Sequence, residues 1–256
     1  MAKEQFRYDG TKDLCDLIDR AGDKAGVGRG QAFEDFLTCS VCALGSGLME
    51  DEYLATIRKG YDRGEQGKRG VDYITQSFAR LVMLMEATRR DILGDLFEGA
   101  ITYGERGQFL TPESLVELMT SLTVNPAAKG EWVNDPCCGS GRMLLAYADK
   151  KHPLELVGQD VDLRCVKMTT INLALRNLYG YVLWGNTLVG EVKAGYRTGF
   201  NRFGRFVRPL TEQELGNFIA TRSHNDSYEA SPVVESDVED APSKSDGCAG
   251  VQKRLF

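Results

Sequence analysis

The sequence has few of the residues that bind metals or that cross-link secreted proteins. It contains only two histidines and seven cysteines among 256 residues. Cys39 and Cys42 form a single CxxC pair without a second pair, so a four-ligand zinc site is not expected. The odd cysteine count lacks the spacing of a disulfide framework. We therefore expect reduced thiols in a cytoplasmic protein, and no bound metal.

Long apolar runs and an excess of basic charge are also missing. No run approaches the ~18 apolar residues that span a membrane, and the polar start MAKEQFRYDG is unlike a signal peptide. We therefore expect no membrane contact. The formal net charge is −6, so binding to nucleic acid would need a local basic face or a partner. Apolar residues make up 42% of the chain, enough for a sizeable core.

The first part of the chain, residues 1–105, is predicted to be a helical region. Apolar side chains recur at helical spacing over residues 13–19, 31–44 and 71–89. The intervening stretch 58–70 is polar and rich in glycine, which predicts a loop.

The second part, residues 106–221, alternates strands with helices. Predicted strands cover residues 131–135, 154–160 and 181–185, and predicted helices cover 142–150 and 162–178. Such alternation implies right-handed crossovers and a parallel sheet. Residues 196–210 predict a strand or hairpin, and 211–221 predict a short helix. The fold class is therefore α/β: a helical N-terminal region followed by a truncated, Rossmann-like parallel sheet.

The last part, residues 222–256, is acidic and rich in serine, aspartate and proline. This composition is typical of a disordered tail.

Glycines follow the first predicted strand. In Asp135-Pro-Cys-Cys-Gly-Ser-Gly141 they would let backbone N–H groups approach a ligand, although plain turns use glycine too. Asp160 ends the next strand, 19 residues after Gly141, where a carboxylate can accept hydrogen bonds from ribose hydroxyls. No Gly-Lys-Ser/Thr follows the glycines, which excludes a P-loop. The spacing suits a nucleoside cofactor.

Two further segments flank this pair. Gly107-Gln-Phe-Leu-Thr-Pro112 precedes the first strand, and its last residues with Glu113 also form an ordinary helix start. Gly185-Asn-Thr-Leu188 follows the third strand, where Asn186 is either a contact to a base edge or a turn residue.

Taken in order, these segments resemble the N-6 adenine DNA methyltransferases, especially the modification subunits of type I restriction systems. The family's GQFxTP segment matches residues 107–112, its DPxCGSG loop matches 135–141, and its GQ-acid segment matches 158–160. Residues 91–98, DILGDLFE, resemble the family's segment before GQFxTP. The resemblance covers residues 70–190 approximately and implies S-adenosylmethionine as the cofactor and DNA as the substrate.

The resemblance also implies a role for individual residues. Thr111 would lie near the methionine end of the cofactor, and Asp135 would bind its ammonium group directly or through water. Asp160 would bind the ribose hydroxyls, and Val161 would pack on the adenine ring. The implied cofactor-binding residues are Phe109, Thr111, Pro112, Asp135, Pro136, Gly139, Ser140, Gly141, Asp160, Val161, Asn186 and Leu188.

The chain departs from the family at two points. Asn186 stands where the family usually has aspartate, and asparagine offers donors as well as an acceptor. The family's Asn/Asp-Pro-Pro-Phe/Tyr motif is missing, since the sequence has no Pro-Pro pair. In the family that motif holds a flipped adenine for direct attack on the methyl group. Asn201 and Phe203 are the only nearby polar–aromatic pair, and the catalytic residues remain unassigned.

Two functions from different classes follow. The first is S-adenosylmethionine-dependent adenine methylation of DNA, of the restriction–modification type. The alternative is a non-catalytic cofactor- or DNA-binding subunit that needs a partner chain. A third alternative, an unrelated dinucleotide enzyme, conflicts with the GQFLTP segment.

Several partners are implied. Besides DNA, we expect a restriction–modification partner subunit or a homo-oligomer. Residues 201–208 interleave arginines with aromatics, which suits nucleic acid and equally suits a solvated edge strand. The C-terminal QKRLF resembles a sliding-clamp-binding peptide in which Gln252, Leu255 and Phe256 make the contacts.

Overall fold

The computed structural model describes residues 4–102, 110–124, 132–152, 155–202 and 204–219. Within these ranges a helical region packs against a five-stranded sheet that carries further helices. The predicted α/β class is confirmed. The predicted domain boundary at residue 105, the tail 222–256, Phe109 and the clamp-binding peptide all lie outside the described residues.

The helical region contains five α-helices and a short π-helix. They are α1 (Thr11–Ala25), α2 (Arg29–Leu44), α3 (Glu50–Ile57), α4 (Gly70–Thr88) and α5 (Ile92–Leu96), which runs into the π-helix Phe97–Thr102. The helices predicted at 13–19, 31–44 and 71–89 are confirmed. Sequence reasoning missed α3 because only Thr56 and Ile57 of that helix are buried, too few for an apolar stripe.

The sheet follows the chain order β1-β2-β3-β4-β5. Its strands are β1 (Trp132–Asp135), β2 (Glu155–Asp160), β3 (Gly180–Trp184), β4 (Ala194–Asn201) and β5 (Gly204–Pro209). Helices α7 (Arg142–Lys150) and α8 (Leu163–Leu175) connect β1 to β2 and β2 to β3, and α6 (Glu113–Thr123) precedes β1. A last helix, α9, covers residues 212–219.

The sheet is parallel only over its first three strands. β1, β2 and β3 pair in parallel, as predicted, whereas β4 and β5 add an antiparallel hairpin. The strand or hairpin predicted over residues 196–210 is confirmed, and its antiparallel pairing makes the sheet mixed. The reason is the short connection 185–193 between β3 and β4, since a parallel crossover needs a dozen or more residues.

Helix α8 is the central element of the packing. It is buried over most of its length, as expected for a helix that is apolar on several faces. Met168 and Ile171 belong to a core shared with Phe36 of α2 and Val207 of β5, while Val166 packs with β1–β3 and α7. Because α8 is packed on two sides, residues 161–162, which join the end of β2 to α8, are held in place as well.

Two general features concern the whole described part of the chain. None of its helices is long and apolar enough to span a bilayer. Its six cysteines are free thiols.

Candidate cofactor-binding site

A cleft of about 570 Å³ opens where β1, β2 and β3 end. This is the edge at which open α/β sheets bind their ligands. Most of the predicted site residues line it: Thr111, Asp135, Pro136, Gly139, Ser140, Asp160, Val161, Asn186 and Leu188. Pro112 and Gly141 lie next to lining residues but do not line the cleft themselves. Sequence motifs far apart in the chain are thus brought to one place.

The glycine turn after β1 requires glycine at two positions. Gly139 and Gly141 have φ values of +54° and +82°, a region that side chains disfavour. A Cβ on Gly139 would lie 2.6 Å from Leu110 Cδ2, and one on Gly141 would lie 3.0 Å from Thr169. Gly139 therefore allows residue 110 to approach the turn. Gly141 shapes the start of α7, which explains why it does not line the cleft.

Asp160 holds the turn and the loop after β2 together. Its Oδ2 accepts a hydrogen bond from the Gly139 N–H at 2.9 Å, and its Oδ1 accepts one from the Asp162 N–H at 2.9 Å. Burial raises the pKa of Asp160, partly offset by these donors. Since a carboxylate has about four acceptor sites, both oxygens can still accept from a ligand's hydroxyls.

Asp135 faces the same cleft from the end of β1. Its Oδ1 accepts a hydrogen bond from the Cys137 N–H at 3.1 Å. Burial raises its pKa, and the charge of Asp160 adds to that rise. Beside it, Asn134 Oδ1 is buried without a hydrogen-bond partner among the described residues. Two carboxylates and an unused acceptor favour a cationic ligand here.

The rim of the cleft is apolar and exposed. The exposed fraction is 63% for Val161 and 94% for Leu188. Asn186 Oδ1 accepts a hydrogen bond from the Leu188 N–H at 3.0 Å, so Asn186 is a turn residue as well as a lining residue. Its amide NH2 group is the part that could meet a base edge.

A buried polar cluster behind the cleft was missed by sequence reasoning. Asp91, at the start of α5, accepts hydrogen bonds from Ser140 Oγ at 2.5 Å, Arg142 Nε at 2.9 Å and Asn172 Nδ2 at 2.9 Å. The donors lie between 49 and 81 residues further along the chain. The only sequence signal was that Asp91 begins the family-like segment DILGDLFE. The cleft's lining from α6, which includes Met119, Thr120 and Thr123, was missed too.

The residues of the cleft fit S-adenosylmethionine, the cofactor that the motif resemblance implies. This molecule carries a sulfonium and an ammonium group, a ribose with two hydroxyls, and a flat adenine ring. Asp135 and the orphaned Asn134 Oδ1 match the ammonium group, and Asp160 matches the hydroxyls. Val161 and Leu188 offer apolar surface to a ring.

The chain is similar to known DNA methylases. The family model described as N-6 DNA Methylase matches residues 88–233 of this chain. The methylase subunit of the type I restriction enzyme MjaIX of Methanocaldococcus jannaschii is 27% identical over 150 residues, which covers 52% of this chain and 26% of that protein. The MpnII methylase subunit of Mycoplasma pneumoniae is 22% identical over 176 residues, which covers 64% of this chain and 31% of that protein.

A solved structure is also similar. It is the type I restriction-modification system methyltransferase subunit from Streptococcus thermophilus, with 15% identity and a TM-score of 0.42, over 72% of this chain and 59% of that one. The chain spans about a quarter to a third of the length of the curated relatives it matches. The family model covers more than half of the chain and includes the glycine turn, Asp160 and Asn186. The predicted resemblance is thereby confirmed, and the chain belongs to the N-6 DNA methylase family.

Proposed function

We propose that this chain binds S-adenosylmethionine and takes part in methylating the exocyclic amino group of adenine in DNA, within a type I restriction–modification system. One observation carries the proposal. At the ends of parallel strands, Asp135 and Asp160 face a single cleft, with the glycine turn between them. Family membership supports it, and so do the curated relatives, which are methylase subunits.

In this proposal each wall of the cleft meets one part of the cofactor. S-adenosylmethionine supplies a methyl group on a positively charged sulfur. Asp135 and Asn134 accept hydrogen bonds from its ammonium group, and Asp160 accepts them from the ribose hydroxyls. Val161 packs on the adenine ring, and the Asn186 amide meets the ring's edge. Holding the cofactor in one orientation keeps its methyl group aimed at an incoming amino nitrogen.

The second candidate function is a cofactor- or DNA-binding subunit that depends on a partner chain for transfer. The observation that favours it is the sequence's lack of an Asn/Asp-Pro-Pro-Phe/Tyr motif. Among residues 201–208, two arginines are already paired with carboxylates, which weakens the case for DNA contact there. Arg205 pairs with Glu86 and Arg208 pairs with Glu214, which suits the edge-strand alternative.

A binding and transfer experiment tests both candidates. The purified chain is titrated with S-adenosylmethionine in a calorimeter, and then incubated with DNA and cofactor, with and without the other subunits of a type I system. We expect cofactor binding by the chain alone, and N6-methyladenine by mass spectrometry once the subunits are added. Transfer by the chain alone would refute the partner-dependent candidate. No cofactor binding would refute the proposed function.

Cofactor binding is expected to weaken as the pH falls from 7 to 5. Burial raises the folded-state pKa of both Asp135 and Asp160, so these groups begin to take up protons above the usual aspartate range. A cationic ligand favours the ionised carboxylates, and affinity is therefore full above these pKa values and declines below them. Because binding favours the ionised carboxylates, we expect protons to be released on binding as the pH falls, and calorimetry in two buffers of different ionisation enthalpy measures this release.

The matched control is Asp135→Asn, which removes one of the two titrations. Its affinity should be lower at pH 7 and should change less between pH 7 and 5 than that of the wild type. An affinity of the wild type that is flat over this range would contradict the expected proton uptake by Asp135 and Asp160.

A further inference from the structure

A buried arginine joins three segments that meet at the cleft. Arg142 is the first residue of α7, and its side chain is 8% exposed. Its Nε donates to Asp91 Oδ2 at 2.9 Å, and its Nη2 donates to Glu98 Oε2 at 3.2 Å. Its Nη1 donates to the main-chain oxygen of Thr111 at 2.9 Å. One guanidinium thus links the helical region, the glycine turn and the segment before α6.

The hydrogen bond to Thr111, unlike the two ion pairs, holds a segment of main chain that borders the cleft. Leu110 and Thr111 line the cleft beside the glycine turn, and Leu110 Cδ2 lies 2.6 Å from the position that a Cβ on Gly139 would take. Pro112 caps α6, since its carbonyl accepts from the N–H groups of Leu115 and Val116 at 3.0 Å each. The position of the Thr111 carbonyl therefore sets the position of one wall of the cleft and of the helix behind it.

We propose that Arg142 is a positioning residue for the cofactor site: its guanidinium holds residues 110–112 at a fixed distance from the glycine turn and so sets the width of the cleft. The inference rests on the proposed function for its ligand. Charge neutralisation of Asp91 and Glu98 is a separate contribution of the same side chain, made through Nε and Nη2.

The two contributions can be separated by lysine. Lysine keeps the positive charge, but its ammonium is a point donor on a flexible chain and cannot reproduce a planar fork with three partners in fixed directions. We expect the lysine in Arg142→Lys to keep the ion pair with Asp91, because the Asp91 side chain is only 3% exposed and its charge is costly to leave unpaired. We expect the same variant to lose the hydrogen bond to the Thr111 carbonyl.

Arg176 provides a matched control. Its side chain is 7% exposed, it pairs with Asp149, and its Nη1 donates to the main-chain oxygen of Arg89 at 3.0 Å. It therefore combines a guanidinium, a carboxylate and a backbone acceptor, as Arg142 does, although its partner Asp149 is 43% exposed, and it does not line the cleft. Arg176→Lys makes the same chemical change away from the site.

The test compares wild type, Arg142→Lys and Arg176→Lys by three measurements. Amide hydrogen exchange of a peptide that covers residues 110–118 reports on the wall without any ligand. Calorimetry gives the affinity for S-adenosylmethionine, and thermal unfolding gives the Tm. For Arg142→Lys we expect faster exchange in that peptide and about tenfold weaker binding, because small displacements of a binding wall cost affinity. Arg176→Lys should match the wild type in exchange and affinity, and its Tm should fall less than that of Arg142→Lys because its carboxylate partner Asp149 is 43% exposed.

Wild-type exchange in the 110–118 peptide of Arg142→Lys would overturn the inference, and so would equal changes in Arg176→Lys. Should Arg142→Lys fail to fold, the double variant Arg142→Met/Asp91→Asn removes the cation together with its most buried carboxylate partner and gives the same readouts. If the wild type fails to bind S-adenosylmethionine, the proposed function is refuted, while the exchange data still decide whether Arg142 positions the wall.

Discussion

Replacing Asp160 with alanine is expected to weaken the binding of S-adenosylmethionine at least about 100-fold. A hydrogen bond to a charged acceptor contributes about 1.5–3 kcal/mol, and two ribose hydroxyls would lose theirs. Each 1.4 kcal/mol is about a tenfold change in affinity. The variant also leaves the N–H groups of Gly139 and Asp162 without their carboxylate acceptor, which loosens the turn that meets the cofactor.

Calorimetric titration measures this effect, with two further variants for comparison. Asp160→Asn keeps one acceptor oxygen, and its affinity should lie between that of wild type and alanine. Asp62→Ala removes an exposed carboxylate in the loop between α3 and α4, so its affinity should match the wild type. An Asp160→Ala protein that binds within a few-fold of the wild type would show that Asp160 does not contact the cofactor.

Much of the lining of the candidate site could be predicted because its information is local in sequence. The glycines, Asp135 and Asp160 lie directly after buried strands, and the ends of parallel strands meet at one edge of a sheet. Knowing which residues end the strands therefore suffices to place these side chains together. Asn186 follows the same rule after β3. The sequence alone did not decide whether Asn186 is a turn residue or contacts a ligand.

The remaining parts of the fold depend on contacts between distant segments. The direction of β4 follows from the length of the connection 185–193, and a strand pattern alone does not state it. The end of α8 at Leu175 rather than at residue 178 coincides with a left-handed Asn177, φ +56°. The Asp91 cluster joins four elements, and each of its polar residues would be an ordinary surface or capping residue if read alone.

Asp91→Ala is expected to destabilise the protein by about 3–5 kcal/mol, the cost of breaking a buried ion pair by removing one partner. Besides the side chains of Ser140, Arg142 and Asn172, the Gly94 N–H donates to Asp91 at 2.9 Å. Alanine leaves all of these donors short of an acceptor, and each unsatisfied buried group carries its own desolvation cost. At about 2–4 °C per kcal/mol for a chain of this size, the Tm should fall by roughly 10 °C.

Denaturant unfolding and thermal melting, each with and without S-adenosylmethionine, measure this loss and link it to the site. Asp13→Ala is the control, because Asp13 is exposed and its ion pair with Arg80 lies on the surface, where such pairs contribute little. A ligand that binds only the folded state raises stability in proportion to the logarithm of its concentration over Kd. Because Asp91 anchors Ser140 within the glycine turn, the cofactor should raise the Tm of Asp91→Ala less than that of the wild type. A loss of stability below about 1 kcal/mol would mean that the Asp91 cluster does not stabilise the fold. Equal cofactor-induced Tm shifts in the variant and the wild type would mean that it does not support the glycine turn for cofactor binding.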